Sequence, residues 1–195
     1  MVQIDEKKLV LAALDDAKNF EKIIQLYEKK LDRFLLHLGV RQNEDREDLL
    51  QESFWKIYKN LNGFDLKLSL NAWIYRITRN TVYDYFRKSK SRGIKVEFSE
   101  EESVFFWENL LDESIDFTKE VDKKSRIKIV RDGLSNLPEK YREVLVLLFL
   151  EEKSYGEISD ILQKNENTIA TLISRGKSKF KKIFLENNKL KLLNQ

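Results

Sequence analysis

SYGEISDILQKNENTIATLISRGKSKFKKIF, residues 154–184, decides the architecture. Ser154 and Glu157 stand three apart, the spacing of a capping box, so a helix should start just after Ser154. Ile158, Ile161 and Leu162 give that helix a short apolar face. Residues 163–166 form a tight connection, and Asn167 is expected to cap a second helix. Its apolar residues Ile169, Leu172, Ile173 and Phe180 recur at helical spacing. A short capped helix, a brief turn and a longer helix make the helix-turn-helix pattern. In it the first helix braces the second, whose start can then enter a major groove. Between residues 175 and 191, Arg175, Lys177, Lys179, Lys181, Lys182, Lys189 and Lys191 face a single acid, Glu186. Neutralising phosphate needs such a cluster. The plain alternative is a surface helix with a solvated lysine face.

Upstream, the same helical rhythm continues. Ile127, Ile129, Val130 and Leu134 lead to the only proline, Pro138, which suits the first turn of a helix. Tyr141, Val144, Leu145, Leu148 and Phe149 continue it. Between residues 97 and 122 the character changes, with ten acids against one base, Lys119. This is a candidate linker, residues 93–122. Phe105, Phe106, Trp107, Leu110 and Leu111 leave open whether it docks on something or is an ordinary acidic loop.

Residues 5–92 read as consecutive helices. Residues 9–14 are short and apolar. Phe20, Ile23, Ile24, Tyr27, Leu31, Phe34, Leu35 and Leu38 follow at helical spacing and stop at Gly39. Asp45 is placed to cap a third helix, with Leu50, Phe54, Ile57, Tyr58 and Leu61 as its buried stripe. Its acidic and amide edge, Asp48, Gln51 and Glu52, suits either the helix dipole or a docking partner. The fourth helix runs from about residue 70 to 88. On it Arg76, Arg79, Asn80, Tyr83 and Arg87 fall on one face, with Ile74, Ile77, Val82 and Phe86 toward the core. Trp73 and Tyr75 read as core. Arginine neutralises phosphate and stacks on bases, an amide reads a base edge, and tyrosine stacks on an unpaired base. A solvated face is the alternative.

Composition agrees with helix and excludes several classes. Six Gly and one Pro in 195 residues are too few for the turns of a β-rich protein. The hydrophobic share of 42% is enough to bury a core. The net charge of +3 says little, because the charge is segregated along the chain. With no cysteine and one histidine, thiolate and histidine-cluster metal sites are excluded. His37 reads as structural. No secretory signal or membrane-length apolar run is visible, so a soluble cytoplasmic protein is expected. There is no nucleophile–base pair, glycine-rich phosphate loop or acid set with metal-ligand spacing. No catalytic residue, metal or cofactor is expected.

Three stretches, EDLLQESFWKIYKNLNGFD, LNAWIYRITRNTVYDYFRK and LPEKYREVLVLLFLEEKSYGEISDIL with its second helix, together resemble the extracytoplasmic-function sigma factors of bacteria. These are small members of the sigma-70 family, and the resemblance runs in order from about residue 9 to 184. It implies an all-α chain with a region-two helical bundle, residues 5–92, and a region-four helix-turn-helix domain, residues 123–188. The acidic linker, residues 93–122, joins them and would thread the polymerase. It implies that Asp48, Gln51 and Glu52 contact the polymerase clamp. It implies that the loop with Phe64 and Lys67 and the helix with Arg76, Arg79, Asn80, Tyr83 and Arg87 capture an unstacked base and read the downstream element. Thr168, Ala170, Thr171, Ser174, Arg175, Lys177 and Lys179 would meet the upstream element. The recognition helix departs from the family pattern: Ala170 and Leu172 stand at commonly basic positions, Gln163 replaces the turn glycine and Lys164 an apolar turn residue. The implied partners are core polymerase, promoter DNA and an anti-sigma protein. The rival readings are a sigma-like adaptor without promoter readout and an ordinary helix-turn-helix repressor.

Overall fold

The computed structural model describes residues 5–89, Phe106 and residues 123–192. Every regular element among them is helical. In chain order these are α1 (Glu6–Asp15), α2 (Phe20–His37), α3 (Asn43–Asn60), α4 (Leu70–Ser89), α5 (Lys123–Ser135), α6 (Glu139–Phe149), α7 (Tyr155–Leu162) and α8 (Glu166–Leu192). Short 3-10 turns lie at Ala17–Asn19 and Leu61–Gly63. The helices fall into two compact units. One holds α1 to α4 and residues 160–163; the other holds residues 37–39, Phe106 and the rest of α5 to α8.

In the first unit the predicted stripe of α2 is buried: Phe20, Ile23, Tyr27, Leu31, Phe34 and Leu35. Gly39 ends the run with φ 102, a conformation that costs glycine nothing and other residues a steric clash. Leu50, Phe54 and Ile57 bury the inner side of α3, at about 1.5–3 kcal/mol for each large side chain taken from water. Tyr58 departs from the expected stripe. It is 48% exposed, and its ring meets Phe20 edge-on at 5.1 Å. On α4, Ile74, Tyr75 and Val82 are buried, with Tyr75 4.8 Å from the Phe34 ring. Ile77 and Phe86 are half-buried.

Asp45 does not cap α3. The helix starts two residues earlier at Asn43, with Gln42 in the cap position and no side-chain cap bond. Asp45 lies in the first turn and accepts a hydrogen bond from the Tyr85 hydroxyl at 2.8 Å, which ties α3 to α4. Burial and this carboxylate push the Tyr85 hydroxyl pKa up. The neighbouring Arg46 pairs with Asp32 of α2 at 2.8 Å. Two adjacent first-turn residues therefore fix α3 against different helices, and neither serves as its cap.

In the second unit α6 is the central helix, buried from Tyr141 through Leu147 and packed along α8. Pro138 sits one residue before the helix, where its missing N–H costs nothing. The buried Arg142 donates to the carbonyl of Leu137 at 3.3 Å, and so satisfies a carbonyl left after the end of α5. At Gly133 an added Cβ would come within 2.5 Å of the Phe180 ring, so α5 and α8 approach closely only because a hydrogen stands there. Phe106 is fully buried, 5.3 Å from Phe149 and 5.6 Å from Phe180. One aromatic of the acidic stretch thus belongs to the core of this unit. Phe105, Trp107, Leu110, Leu111 and the acids around them lie outside the described residues.

The helix-turn-helix forms with one shift of register. The Ser154–Glu157 capping box is present: Glu157 N–H donates to the Ser154 hydroxyl at 3.3 Å, and Ser154 N–H to the Glu157 carboxylate at 2.9 Å. The cap of α8 is Asn165, not Asn167. The Asn165 side-chain oxygen accepts from Thr168 N–H at 2.8 Å and from the Thr168 hydroxyl at 2.7 Å. The sequence offers two asparagines, and helix entry selects the one three residues before a free amide. Gln163, at the family's glycine position, adopts φ 53. The turn keeps its left-handed residue although the side chain is not glycine.

Candidate nucleic-acid interface

The α4 stripe is assembled as the spacing requires. Asn80 and Arg87 are exposed, and Arg76, Arg79 and Tyr83 are half-buried along the same side. The Arg79 guanidinium lies 4.7 Å from the centre of the Tyr83 ring and donates to the Asn80 side-chain oxygen at 3.0 Å. Cation–π contact and hydrogen bond hold three neighbouring side chains in one arrangement. The exposed Asn80 amide can then meet a base edge without much loss of rotamer freedom. Arg87 forms an ion pair with Asp84, one turn back. That pairing lowers its value as a free phosphate clamp, since an exchange of partners is needed.

The loop before α4 is built by Asp65, whose carboxylate accepts from Lys67 N–H at 2.9 Å. Lys67 is exposed. Phe64 is half-buried, its ring 5.0 Å from Trp73. The pair forms an aromatic shelf at the foot of α4, beside the polar stripe. Trp73, expected in the core, is half-buried and meets the Phe64 ring instead.

The start of α4 depends on a residue the sequence did not signal. Glu6, from α1, accepts from Leu70 N–H at 2.9 Å and Asn71 N–H at 3.3 Å, and from the Tyr27 hydroxyl at 3.3 Å. Ser69 takes the next amide, Ala72, at 3.2 Å. Together they satisfy orphan donors of the first turn of the stripe-bearing helix, and a carboxylate there also meets the positive end of the dipole. An acid at the head of α1 looks like an ordinary first-turn acid, and no spacing rule connects residue 6 to residue 70. Burial and then the Glu6 charge raise the Tyr27 pKa.

On α3, Asp48, Gln51 and Glu52 are all exposed on the outer side. Glu52 forms an ion pair with Lys56 at 2.7 Å, and Lys56 also donates to Thr81 at 3.1 Å. The acidic edge is therefore partly neutralised by its own helix.

On α8 the predicted residues divide. Thr168, Thr171, Ser174, Arg175 and Lys179 are exposed. Thr168 is engaged with Asn165, and the Thr171 hydroxyl donates to the Asn167 carbonyl at 2.9 Å. Ala170 and Lys177 are half-buried, toward the core side of the helix. The Lys177 ammonium lies 5.1 Å from the Phe149 ring. Ala170 and Lys177 flank Ser174, one turn before and after it, at the edge of the exposed side. Ile169, Ile173, Phe180 and Phe184 are buried on the inner face.

Each unit is thus a helical body with an outward polar and cationic stripe on one helix, the form of a nucleic-acid-binding protein. Sigma-70 region 2 matches residues 23–92 and Sigma-70 region 4 matches residues 127–180. The RNA polymerase sigma factor SigZ of Bacillus subtilis is 30% identical over 85% of this chain and 86% of that protein. The ECF RNA polymerase sigma factor SigW of the same organism is 27% identical over 93% and 97%. The chain belongs to the sigma-70 family, in its extracytoplasmic-function group. Among solved structures, CnrH in complex with the cytosolic domain of CnrY shares the fold with a TM-score of 0.64, 18% identity and 91% and 95% coverage. The sigma factor RpoE with the anti-sigma factor NepR from Bartonella quintana gives 0.56, 21%, 85% and 96%. Among the described residues no helix is long and apolar enough to cross a membrane.

Proposed function

We propose that this chain is a promoter-specificity subunit of bacterial RNA polymerase, acting in the cytoplasm without catalytic activity of its own. The observation that supports this best is the Arg79–Tyr83–Asn80 arrangement within the segment matched to region 2. A guanidinium set on a phenol ring, next to an exposed amide, suits single-stranded DNA: the base stacks, the amide reads its edge and the cation meets phosphate. In this reading the Phe64–Trp73 shelf and Lys67 receive the melted strand from the downstream promoter element. Asp48, Gln51 and Glu52 of α3 dock on the polymerase. Thr168, Thr171, Ser174 and Arg175 enter the upstream element's major groove, where the threonine methyls and the arginine suit thymine methyls and a guanine edge. Lys179 lies along phosphate. The solved relatives bound to CnrY and NepR support an anti-sigma protein as a further partner.

The test is transcription from a genomic promoter library with cognate core polymerase, with and without the protein. New start sites sharing two motifs at fixed spacing are expected. Co-purification with core but no new starts would leave an adaptor. Failure of both, with no inhibitor present, would overturn the proposal.

A further inference from the structure

The outer side of α3 carries a feature that neither its core packing nor its acids explain. Trp55 is 59% exposed, the most exposed of the large hydrophobic side chains described. At 3.6 residues per turn, Asp48, Glu52, Trp55 and Lys59 fall within about 60° of arc, opposite Leu50, Phe54 and Ile57. The indole therefore stands in the middle of the solvent side, remote from the core its helix builds. The Lys59 ammonium lies 4.8 Å from its ring, so the side chain is held against its own helix before any partner arrives. Tyr58 next to it is also exposed, but its ring is braced by Phe20.

We propose that Trp55 is the anchor of the α3 docking face, inserted into an apolar slot on the core polymerase while the acids around it meet basic side chains. The inference rests on the polymerase-docking role proposed above for Asp48, Gln51 and Glu52, and it adds where the affinity resides. Three physical points lead to it. An exposed tryptophan with no core to fill keeps apolar area in water at a cost, which a partner removes. Tryptophan at the centre of a patch, ringed by polar groups that exclude water, is the residue type on which binding energy concentrates. The surrounding acids are weak contributors by themselves, being exposed and, for Glu52, already paired with Lys56. Glu44, Asp48 and Glu52 outnumber Lys56 and Lys59 on this side, so its net charge is acidic and suits basic side chains around the slot.

The experiment measures the affinity of the full chain for cognate core polymerase with Trp55→Ala, Trp55→Phe and Glu52→Lys, alongside their thermal unfolding. Trp55→Ala should weaken binding about thirtyfold, as truncating a hot spot does, with a much smaller effect on unfolding because most of the side chain lies in solvent. Trp55→Phe should keep most of the affinity. Protein carrying Trp73→Phe and Trp107→Phe and labelled with 5-hydroxytryptophan, excited apart from the polymerase's own tryptophans, should change its emission on adding core, because Trp55 is then its single indole. Unchanged affinity in Trp55→Ala while Glu52→Lys weakens binding overturns the anchor and leaves the docking face standing. If neither substitution weakens binding, the docking face itself is wrong and the anchor falls with it.

Discussion

Gln163 shows how one residue can depart from a family pattern and leave the fold intact. The turn between α7 and α8 needs a left-handed residue, and Gln163 supplies it at φ 53. A Cβ in that conformation costs about 1–2 kcal/mol. Part is recovered by the amide, which donates to the Asp160 carbonyl at 2.7 Å. Gln163→Gly should therefore raise stability by no more than about 0.5 kcal/mol, after the lost amide bond and the extra freedom of glycine in the unfolded chain are subtracted. The urea midpoint checks it, and a fall in midpoint would mean that the amide bond outweighs the strain. The same scale explains the cap shift from Asn167 to Asn165. Both residues have the right chemistry, and only the path of the turn decides which oxygen reaches Thr168.

At the scale of the element, α4 carries packing and proposed chemistry side by side. Val82 and Tyr75 hold it in the first unit, Arg79 and Tyr83 are half-buried at the edge of that face, and Asn80 is exposed. Arg79→Ala and Asn80→Ala should reduce open-complex formation about tenfold or more, the scale of one lost stacking or base contact, and leave core binding within about twofold. Permanganate footprinting and a core-binding assay separate the two effects. Loss of core binding instead would mean that α4 holds the polymerase and not the strand. The same helix depends on Glu6 for its start, and Glu6→Ala should cost about 0.5–2 kcal/mol of stability, as losing a helix cap does. Thermal unfolding reads it directly. The stripe on α4 was legible in the sequence because a helix repeats its face every three to four residues. The cap from α1 was not, because it joins residues with no periodic relation.

For the whole molecule, stability comes from cores that draw on distant stretches of the chain. Phe106 lies in the acidic stretch by sequence, yet packs between Phe149 and Phe180. Phe106→Ala should cost about 3–5 kcal/mol, as for other buried aromatics, and lower the urea midpoint. A change below 1 kcal/mol would show that the core closes without it. Alkaline pH supplies a second check. The Tyr27 pKa is raised above its ordinary value of 10.0 by burial and by Glu6, and Tyr85 shifts the same way. A raised folded pKa contributes stability that is fully present below 10.0 and is lost as pH rises toward the folded value. The unfolding temperature should therefore fall above that pH, and Tyr27→Phe should flatten part of the fall.

The amino-acid sequence by itself determined the helical class, the family, the helix-turn-helix and the apolar spacing of α2 and α8. All of these rest on local periodicity, capping chemistry or motif order, which a chain carries in one dimension. Only the tertiary structure decided that Glu6 caps α4, that Asp45 bonds Tyr85 instead of starting α3, that Phe106 joins a core and that Trp55 stands unburied. Each of these depends on which distant group lies within hydrogen-bond or van der Waals reach, and that is set when the helices pack.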